Sequence, residues 1–350
     1  MTTDADNLPG RRPATGAAQK PPVMADVARA AGVSHQTVSR VLNQHPSVRP
    51  ETRERVLDAI NKLDYRRNLA ARALVTRRTQ TIGVVSFDTT LYGPASTLYG
   101  IQLAAREAGY FVSVASTKTI DRRTIPAAME RLSEQNVDGV IVIAPLRQAV
   151  AALDELPRDR PLIAVGASAA GASDVCVDQV GGAAQATGHL LDQGVSTVWH
   201  VAGPADWLEA EERVQGWRET LEAAGVAVPD VVRGDWSPRS GYAAGEMLAQ
   251  RDDVSAVFVA NDQMALGVLR AFNERGVRVP DDVLLVGFDD IPEAAFFTPS
   301  LTTVVQSFDE VGRRSIEQLL AQISGSVVQP ERVVIPPRLV IRQSSLPPRR

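Results

Sequence analysis

The stretch 24–43 constrains the fold of this chain more than any other segment. Its apolar residues recur at helical spacing in two short runs, which are Val27, Ala28 and Ala31 in the first and Val38, Val41 and Leu42 in the second. Gly32 lies between the runs, where a helix can end because glycine accepts a positive φ without steric cost. Ser34 can cap the second helix. The pattern predicts a helix-turn-helix, although an ordinary pair of packed helices gives the same spacing.

The second predicted helix has polar side chains on its outer surface near its start, where a recognition helix contacts base edges. We therefore expect a DNA interface made of Ser34, His35, Gln36, Thr37, Arg40 and Asn43. A third helix is predicted over 51–65, with Pro50 at its start. Its apolar face is expected to comprise Val56, Leu57, Ile60 and Leu63. Three helices suffice to close a small core.

Charge is distributed unevenly along the chain. Between residues 20 and 80, 12 basic residues face 5 acidic ones, whereas the whole chain has a net charge of −4. The rest of the chain is therefore acidic. A basic N-terminal region on an acidic body is expected when one end of a protein docks on phosphates, and a solvated charge run does not explain the asymmetry.

Several strings in this region resemble the lactose/galactose-repressor (LacI/GalR) family of transcriptional regulators. They are ADVA at 25–28, AGVS at 31–34, TVSRVLN at 37–43 and, for the family's hinge helix, NLAARALV at 68–75. The resemblance extends over the chain except residues 1–21 and the last few. It implies that Leu74 wedges between base pairs in the minor groove when two hinge helices pair. An ordinary linker helix with Leu74 in a small core is the alternative.

After Gln80 short apolar runs alternate with helical stretches, which predicts parallel sheets covered by helices. The strand-like runs are 81–87, 111–116, 139–144, 161–165, 197–202, 254–260 and 283–288. The chain is long enough for two α/β lobes, and the resemblance implies a periplasmic-binding-protein-like effector domain.

We expect a disordered tail (1–21), a three-helix DNA-binding domain (22–67), a hinge (68–79) and a two-lobed sugar-binding and dimerisation domain (80–345). Lobe 1 is expected to comprise 80–177 and 306–335, and lobe 2 to comprise 178–305.

Two predicted strands end in polar pairs, Asn261-Asp262 and Asp289-Asp290. Ligands of parallel α/β sheets bind beyond the carboxyl ends of strands, although a helix N-cap belongs at the same place. The resemblance implies that the effector is contacted by Arg213, Trp236, Asn261, Asp289, Gln306 and Phe308. Carboxylate and guanidinium groups can bind adjacent sugar hydroxyls in pairs, and aromatic rings can cover the apolar face of a sugar.

The sequence departs from the lactose-repressor branch at Arg147, Glu209 and Glu211. A galactoside-like effector or another glycoside is expected, and a small phosphorylated sugar stays open. We interpret Arg147 preferentially as a solvated residue at the start of a helix, rather than as a contact with the effector.

Other classes of protein fit the sequence less well. The lone cysteine, Cys176, cannot form an intramolecular disulfide and fits a buried small hydrophobe in a reducing cytosol. No apolar run approaches the roughly 20 residues of a membrane span, and no export signal is visible. GxSxG, GxxxxGK, CxxC and HExxH motifs are absent, so no enzyme activity, cofactor or metal site is expected.

The expected partners are a palindromic double-stranded operator DNA, a small sugar effector and a second copy of the chain. A homodimer is expected because one helix-turn-helix reads only a half-site. The expected location is the cytoplasm, in association with the nucleoid and without a membrane. Two alternatives remain: a transport-type sugar-binding protein without a DNA function, and a global regulator acting with a protein co-regulator.

Overall fold

The computed structural model describes residues 22–43, 45–66, 78–119, 121–157, 160–166, 173–326 and 330–346. The chain divides into two compact units, one ending at residue 77 and one beginning at residue 78. The predicted N-terminal tail and Leu74 lie outside the described residues.

The N-terminal unit contains the helices α1 (Met24–Ala31), α2 (His35–Leu42) and α3 (Pro50–Lys62). Gly32 follows α1 with a φ of 63°, the left-handed conformation that ends a helix. Ser34 then caps α2, because its hydroxyl accepts a hydrogen bond from the Thr37 N–H at 3.2 Å. The turn between the first two helices thus forms as the sequence predicts.

The core of this unit is built from one face of each helix. Val27, Val38 and Val56 are fully buried, and Ala59 joins them on α3. The expectation that Leu57 faces the core was wrong, since it is 46% exposed. Successive helical residues are about 100° apart, so a face centred on Val56 and Ala59 turns Leu57 towards solvent.

The second unit alternates strands and helices along the chain. Its helices are α4 (Tyr92–Glu107), α5 (Thr124–Glu134), α6 (Arg147–Asp154), α7 (Gln179–Leu191), α8 (Leu208–Ala223), α9 (Pro238–Leu248), α10 (Asp262–Arg275) and α11 (Phe308–Ile323). Its strands are β1 (Thr81–Phe87), β2 (Phe111–Thr117), β3 (Gly139–Ile143), β4 (Leu162–Val165), β5 (Ser173–Val177), β6 (Trp199–Ala202), β7 (Val232–Arg233), β8 (Ala256–Val259), β9 (Leu284–Asp289), β10 (Thr302–Val305), β11 (Arg332–Ile335) and β12 (Arg338–Val340).

These strands form two sheets, each the centre of one lobe. The first lobe has the order β11-β5-β4-β3-β1-β2 and is parallel throughout. The second has the order β12-β10-β9-β8-β6-β7 and is parallel except for β12, which runs antiparallel to β10. Central strands such as β3 and β8 are buried along their whole length, which explains their continuous apolar sequences. The predicted fold class is confirmed.

The chain passes between the lobes three times. It crosses at Asp178 between β5 and α7, at 306–307 between β10 and α11, and at 336–337 between β11 and β12. All three crossovers leave the carboxyl ends of parallel strands, which are β5, β10 and β11, and the cleft between the lobes lies at these ends.

A short backbone contact also joins the lobes across this cleft. Leu208 N–H donates to the Pro145 carbonyl at 3.0 Å, and Arg147 N–H donates to the Asp206 carbonyl at 3.0 Å. We call this contact, between 145–147 and 206–208, the interlobe bridge. The Trp207 ring extends it by packing edge-to-face against Phe87, with ring centres 5.9 Å apart.

Close packing of α9 against α10 generates a stability prediction. A Cβ on Gly267 would lie 2.0 Å from the Pro238 carbonyl oxygen, whereas a Cβ on Gly188 in α7 would meet nothing within 4 Å. Gly267→Ala should therefore lower the free energy of unfolding by about 1–3 kcal/mol. The matched control Gly188→Ala should raise it by about 0.5–1 kcal/mol, because alanine favours helix. Urea unfolding measures both, and an unchanged Gly267→Ala variant would contradict the packing described.

Candidate functional site

A cavity of about 190 Å³ lies between the lobes at the carboxyl ends of the strands. The first lobe contributes residues 90–94, which follow β1 and begin α4. The second lobe contributes the start of α8, the segment before α9, the start of α10 and the end of β9. Five of the six predicted effector contacts line this cavity, and they are Arg213, Trp236, Asn261, Asp289 and Gln306.

Arg213 is the most constrained of these residues and is only 2% exposed. Its Nε donates to Gln179 Oε1 at 2.8 Å, and one terminal nitrogen donates to the Ala260 carbonyl. Its guanidinium carbon lies 3.9 Å from the centre of the Phe288 ring. Its other terminal nitrogen is 3.8 Å from a carboxylate oxygen of Glu209. Hydrogen bonds, ring stacking and charge together fix the guanidinium in one position.

Two glutamines connect Arg213 to Asp289. Gln179 Nε2 donates to Gln306 Oε1 at 2.8 Å, and Gln306 Nε2 donates to Asp289 Oδ1 at 2.6 Å. Gln179 and Gln306, which we call the glutamine relay, lie at the first two crossovers. Burial raises the pKa of Asp289 to about 6, and the charge of Arg213 opposes that rise. The carboxylate is thus ionised at neutral pH but close to its titration range.

Asn261 both caps a helix and lines the cavity. Its Oδ1 accepts from the Met264 N–H at 2.9 Å, and its Nδ2 donates to the Trp236 carbonyl at 3.2 Å. Trp236 adopts a φ of 73°. Its ring packs edge-on against Trp207, with ring centres 5.3 Å apart. The residue that caps α10 therefore also lines the cavity, and its contact with an effector stays a prediction.

The second acid of each polar pair has another role. Asp262 is fully buried and accepts from the Thr303 hydroxyl at 2.7 Å and from the Ile291 N–H at 2.9 Å. Burial and the charge of Asp289 raise its pKa well above the usual value. Asp290 pairs with Arg342 at 2.7 Å. Both acids tie loops of the second lobe together and lie outside the lining of the cavity.

Phe308 does not belong to the described lining of this cavity. Its ring packs edge-to-face against Tyr92, with centres 5.9 Å apart, and Tyr92 is the ring that faces the cavity. In this conformation Phe308 supports Tyr92 from behind. Direct contact of Phe308 with an effector stays a prediction.

Sequence reasoning missed part of the site. Tyr92, Trp207 and Glu209 line the cavity, and Gln179 holds Arg213. Each of them follows the carboxyl end of a parallel strand, so the rule that selected Asn261 and Asp289 applies to them too.

The outer surface of α2 carries the predicted DNA contacts. Ser34, His35, Gln36, Arg40 and Asn43 are exposed, whereas Thr37 is half-buried beside its hydrogen bond to Ser34. The opposite face of α2 packs into the three-helix core through Val38 and Val41. A polar helix face is therefore presented to solvent from its first turn onwards.

The described part of the chain includes no helix long and apolar enough to cross a membrane. Within the same residues, His, Cys, Asp and Glu side chains form no group of three that could hold a metal ion. Cys176 is buried, and burial raises the pKa of its thiol.

A helix-turn-helix unit followed by a two-lobed unit with a polar cavity defines a ligand-responsive DNA-binding regulator. The family model "Bacterial regulatory proteins, lacI family" matches residues 23–68, and the model "Periplasmic binding protein-like domain" matches residues 187–345.

Relatives match nearly the whole chain. The HTH-type transcriptional regulator CelR of Thermobifida fusca is 38% identical over 339 residues, covering 92% of this chain and 98% of CelR. The lactose operon repressor of Escherichia coli is 33% identical over 332 residues, covering 94% of this chain and 92% of that repressor. The chain belongs to the lacI family of bacterial regulatory proteins. The predicted family resemblance and the predicted function as a DNA-binding transcriptional regulator are thereby confirmed.

Solved structures agree with this assignment. A crystal structure of the lac repressor dimer bound to operator and the anti-inducer ONPF superposes with a TM-score of 0.83 at 32% identity, covering 93% of this chain and 100% of that one. A complex of CelR with cellobiose superposes with a TM-score of 0.67 at 35% identity, covering 92% of this chain and 99% of that one.

Exposure of Gln36 on α2 leads to a specificity prediction. Gln36→Ala should weaken binding to a selected operator by about 1–3 kcal/mol and relax the base preference at one position of each half-site. Affinity for unrelated DNA and the salt dependence should stay unchanged, since no phosphate contact is removed. Fluorescence anisotropy with operator variants tests this, and an equal loss on all sequences would argue against base readout by Gln36.

Proposed function

We propose that this chain represses transcription by binding a palindromic operator as a homodimer, and that an uncharged sugar in the interlobe cavity releases it. The observation that carries the proposal is the set of groups around the cavity. A buried guanidinium, two carboxylates and amide groups face one small space beside three aromatic rings.

These groups match the chemistry of a sugar. Adjacent hydroxyls can both donate to the Asp289 carboxylate, while Asn261 can donate and accept. The Trp236 and Tyr92 rings supply apolar surface for a sugar ring face. Glu209 adds a second carboxylate near Arg213, so the cavity holds no excess of positive charge for a phosphate. An uncharged glycoside therefore fits better than a phosphorylated sugar.

The names of similar proteins narrow the first effectors to test. One similar structure contains cellobiose, and relatives are named as lactose and ribose operon repressors. Galactosides, β-glucosides and pentoses are accordingly the first candidates. Another similar structure is a dimer on operator DNA, which supports a homodimer for this chain.

Release requires that the sugar bind two arrangements of the protein with different affinity. The cavity is lined by both lobes, so an occupant contacts both at once. The hinge helix expected over 68–75 lies outside the described residues. Eight residues are too few for a stable isolated helix, so we expect its stability to depend on the arrangement of the lobes. We also propose that the chain has no enzymatic activity and works in the cytoplasm, where its DNA lies.

The proposal is tested by measuring operator release. An operator is selected from a random palindromic DNA pool, and its affinity is measured with and without cellobiose, lactose, ribose and their methyl glycosides. At least one sugar should weaken operator binding, typically by about 5–150-fold. Asp289→Asn should bind operator normally and lose the response. The proposal fails if no sugar alters operator affinity, or if the Asp289→Asn variant responds as the wild type does.

The raised pKa of Asp289 predicts pH-dependent sugar binding. Binding needs the carboxylate ionised, so affinity should be constant above pH 7 and about tenfold weaker at pH 5, one unit below the pKa of about 6. The contribution of Asp289 to the free energy of unfolding of the sugar-free protein has the opposite trend. Because folding raises the pKa of this carboxyl, that contribution falls as the pH rises through 6.

Isothermal titration of the active sugar between pH 5 and 8 measures the sugar affinity. Asp289→Asn should bind the sugar more weakly at every pH, and its affinity should not fall further between pH 7 and pH 5. An equal loss of affinity between pH 7 and pH 5 in that variant would show that a group other than Asp289 causes the pH dependence.

A further inference from the structure

The turn that follows β9 has a backbone conformation that residues with a side chain rarely adopt. Asp289, the last residue of β9, has a φ of 111°, and Asp290 has a φ of 51°. At such angles the Cβ of an L-residue crowds the backbone, at a cost in free energy, so the surrounding structure must hold the turn. Asp289 also lines the effector cavity. Whatever holds this turn therefore places the carboxylate that faces the effector.

Part of this support comes from groups that bind the backbone of the turn. The Asp290 N–H donates to Thr303 Oγ1 at 3.3 Å. The Thr303 hydroxyl donates to Asp262 Oδ1 at 2.7 Å, and Asp262 Oδ2 accepts from the Ile291 N–H at 2.9 Å. These bonds fix the peptide groups on both sides of Asp290. The side chain of Asp290 is held by a different segment.

That segment is the C-terminal part of the chain, which supplies Arg342. One terminal nitrogen of Arg342 donates to Asp290 Oδ1 at 2.7 Å, and the other donates to the Leu301 carbonyl at 2.8 Å. The Arg342 and Asp290 side chains are 20% and 23% exposed, so water screens this pair less than it screens a surface ion pair. One guanidinium thus joins the residue after β9 to the residue before β10.

The position of Arg342 is itself fixed by the two strands that lead to the cavity. The Arg342 N–H donates to Thr302 Oγ1, in β10, at 2.8 Å. Two residues further on, Ser344 is fully buried, and its hydroxyl donates to the carbonyl of Leu285, in β9, at 2.7 Å. Arg342 and Asp290 both lie outside the lining of the effector cavity. Any effect of Arg342 on an effector must therefore pass through the turn.

We propose that Arg342 is a positioning residue for the effector, because its ion pair with Asp290 holds the left-handed turn that places Asp289 in the cavity. Without this pair the turn relaxes towards more favourable backbone angles, and the Asp289 carboxylate leaves its place beside Gln306. The C-terminal segment thus contributes to sugar affinity without touching the sugar. This inference rests on the proposed function, since it assumes that Asp289 binds a sugar.

The first test removes the guanidinium. Arg342→Met keeps most of the side-chain bulk and loses both hydrogen bonds, whereas Arg342→Lys keeps the charge. The matched control is Arg338→Met, at an exposed position of β12 outside the cavity lining. Titration calorimetry with the full-length chain uses cellobiose, lactose, ribose, methyl β-glucoside and methyl β-galactoside. For each sugar that binds the wild type, Arg342→Met should weaken binding about tenfold, or about 1.4 kcal/mol. Arg342→Lys should weaken it less, and Arg338→Met should bind as the wild type does.

The second test separates backbone strain from the loss of a charge. Asp290→Ala and Asp290→Gly both remove the carboxylate that pairs with Arg342, but only glycine accepts a φ of 51° without steric cost. Asp290→Ala should therefore weaken sugar binding about as much as Arg342→Met does. Asp290→Gly should stay within about threefold of the wild type, and adding Arg342→Met to it should weaken binding no further. Urea unfolding checks that each variant is folded, and the two Asp290 variants decide the question if Arg342→Met is not.

Wild-type sugar affinity in a folded Arg342→Met variant would overturn the positioning role and leave the proposed function intact. An equal loss in Asp290→Ala and Asp290→Gly would do the same, because it would show that the charge of Asp290 matters and the backbone conformation does not. Failure of every sugar to bind the wild type is a different result, and it would overturn the proposed function together with this inference.

Discussion

The buried guanidinium of Arg213 is the group on which the arrangement of the cavity depends. Leaving such a charge unpaired away from water costs several kcal/mol, so its partners are obligatory. They come from the first crossover (Gln179), the residue after β8 (Ala260), β9 (Phe288) and α8 itself (Glu209). Satisfying one buried charge therefore brings four separate segments to the same point, and the cavity forms around them.

The hydrogen bonds that pair the charge of Arg213 also link the cavity to the crossovers between the lobes. The glutamine relay is held by Arg213 at one end and Asp289 at the other, and each glutamine lies at a crossover. A ligand that competes for Asp289 or Arg213 changes the hydrogen bonds of the segments that would bend when the lobes move. The interlobe bridge adds two backbone hydrogen bonds and the packing of Trp207 against Phe87 across the cleft. A ligand that binds two arrangements of the lobes with different affinity, a difference typically worth about 1–3 kcal/mol, shifts the equilibrium between them.

Local sequence rules predicted much of the fold but only two residues of the cavity, whereas Arg213, Trp236 and Gln306 were expected from the family resemblance. Continuous apolar runs located strands such as Thr81–Phe87 because buried parallel strands need no polar face. The runs of β7, β10, β11 and β12 were missed. Three of them, β7, β11 and β12, are edge strands that are partly exposed, so they lack a continuous apolar run. Asn261 and Asp289 followed from strand ends. Tyr92 and Glu209 also follow strand ends, but they come from different lobes, and local pattern does not predict that the packing of the two lobes brings both to one cavity.

We propose that one ligand in the interlobe cavity and DNA on α2 bias the same equilibrium. Thermodynamic linkage makes this coupling reciprocal, so it can be measured from the side of the sugar. The direct measurement is the dissociation constant of the active sugar for the free full-length chain and for the chain saturated with its operator. We expect weaker sugar binding to the operator complex, by the same factor by which the sugar weakens operator binding. Identical sugar affinities in the two states would contradict it.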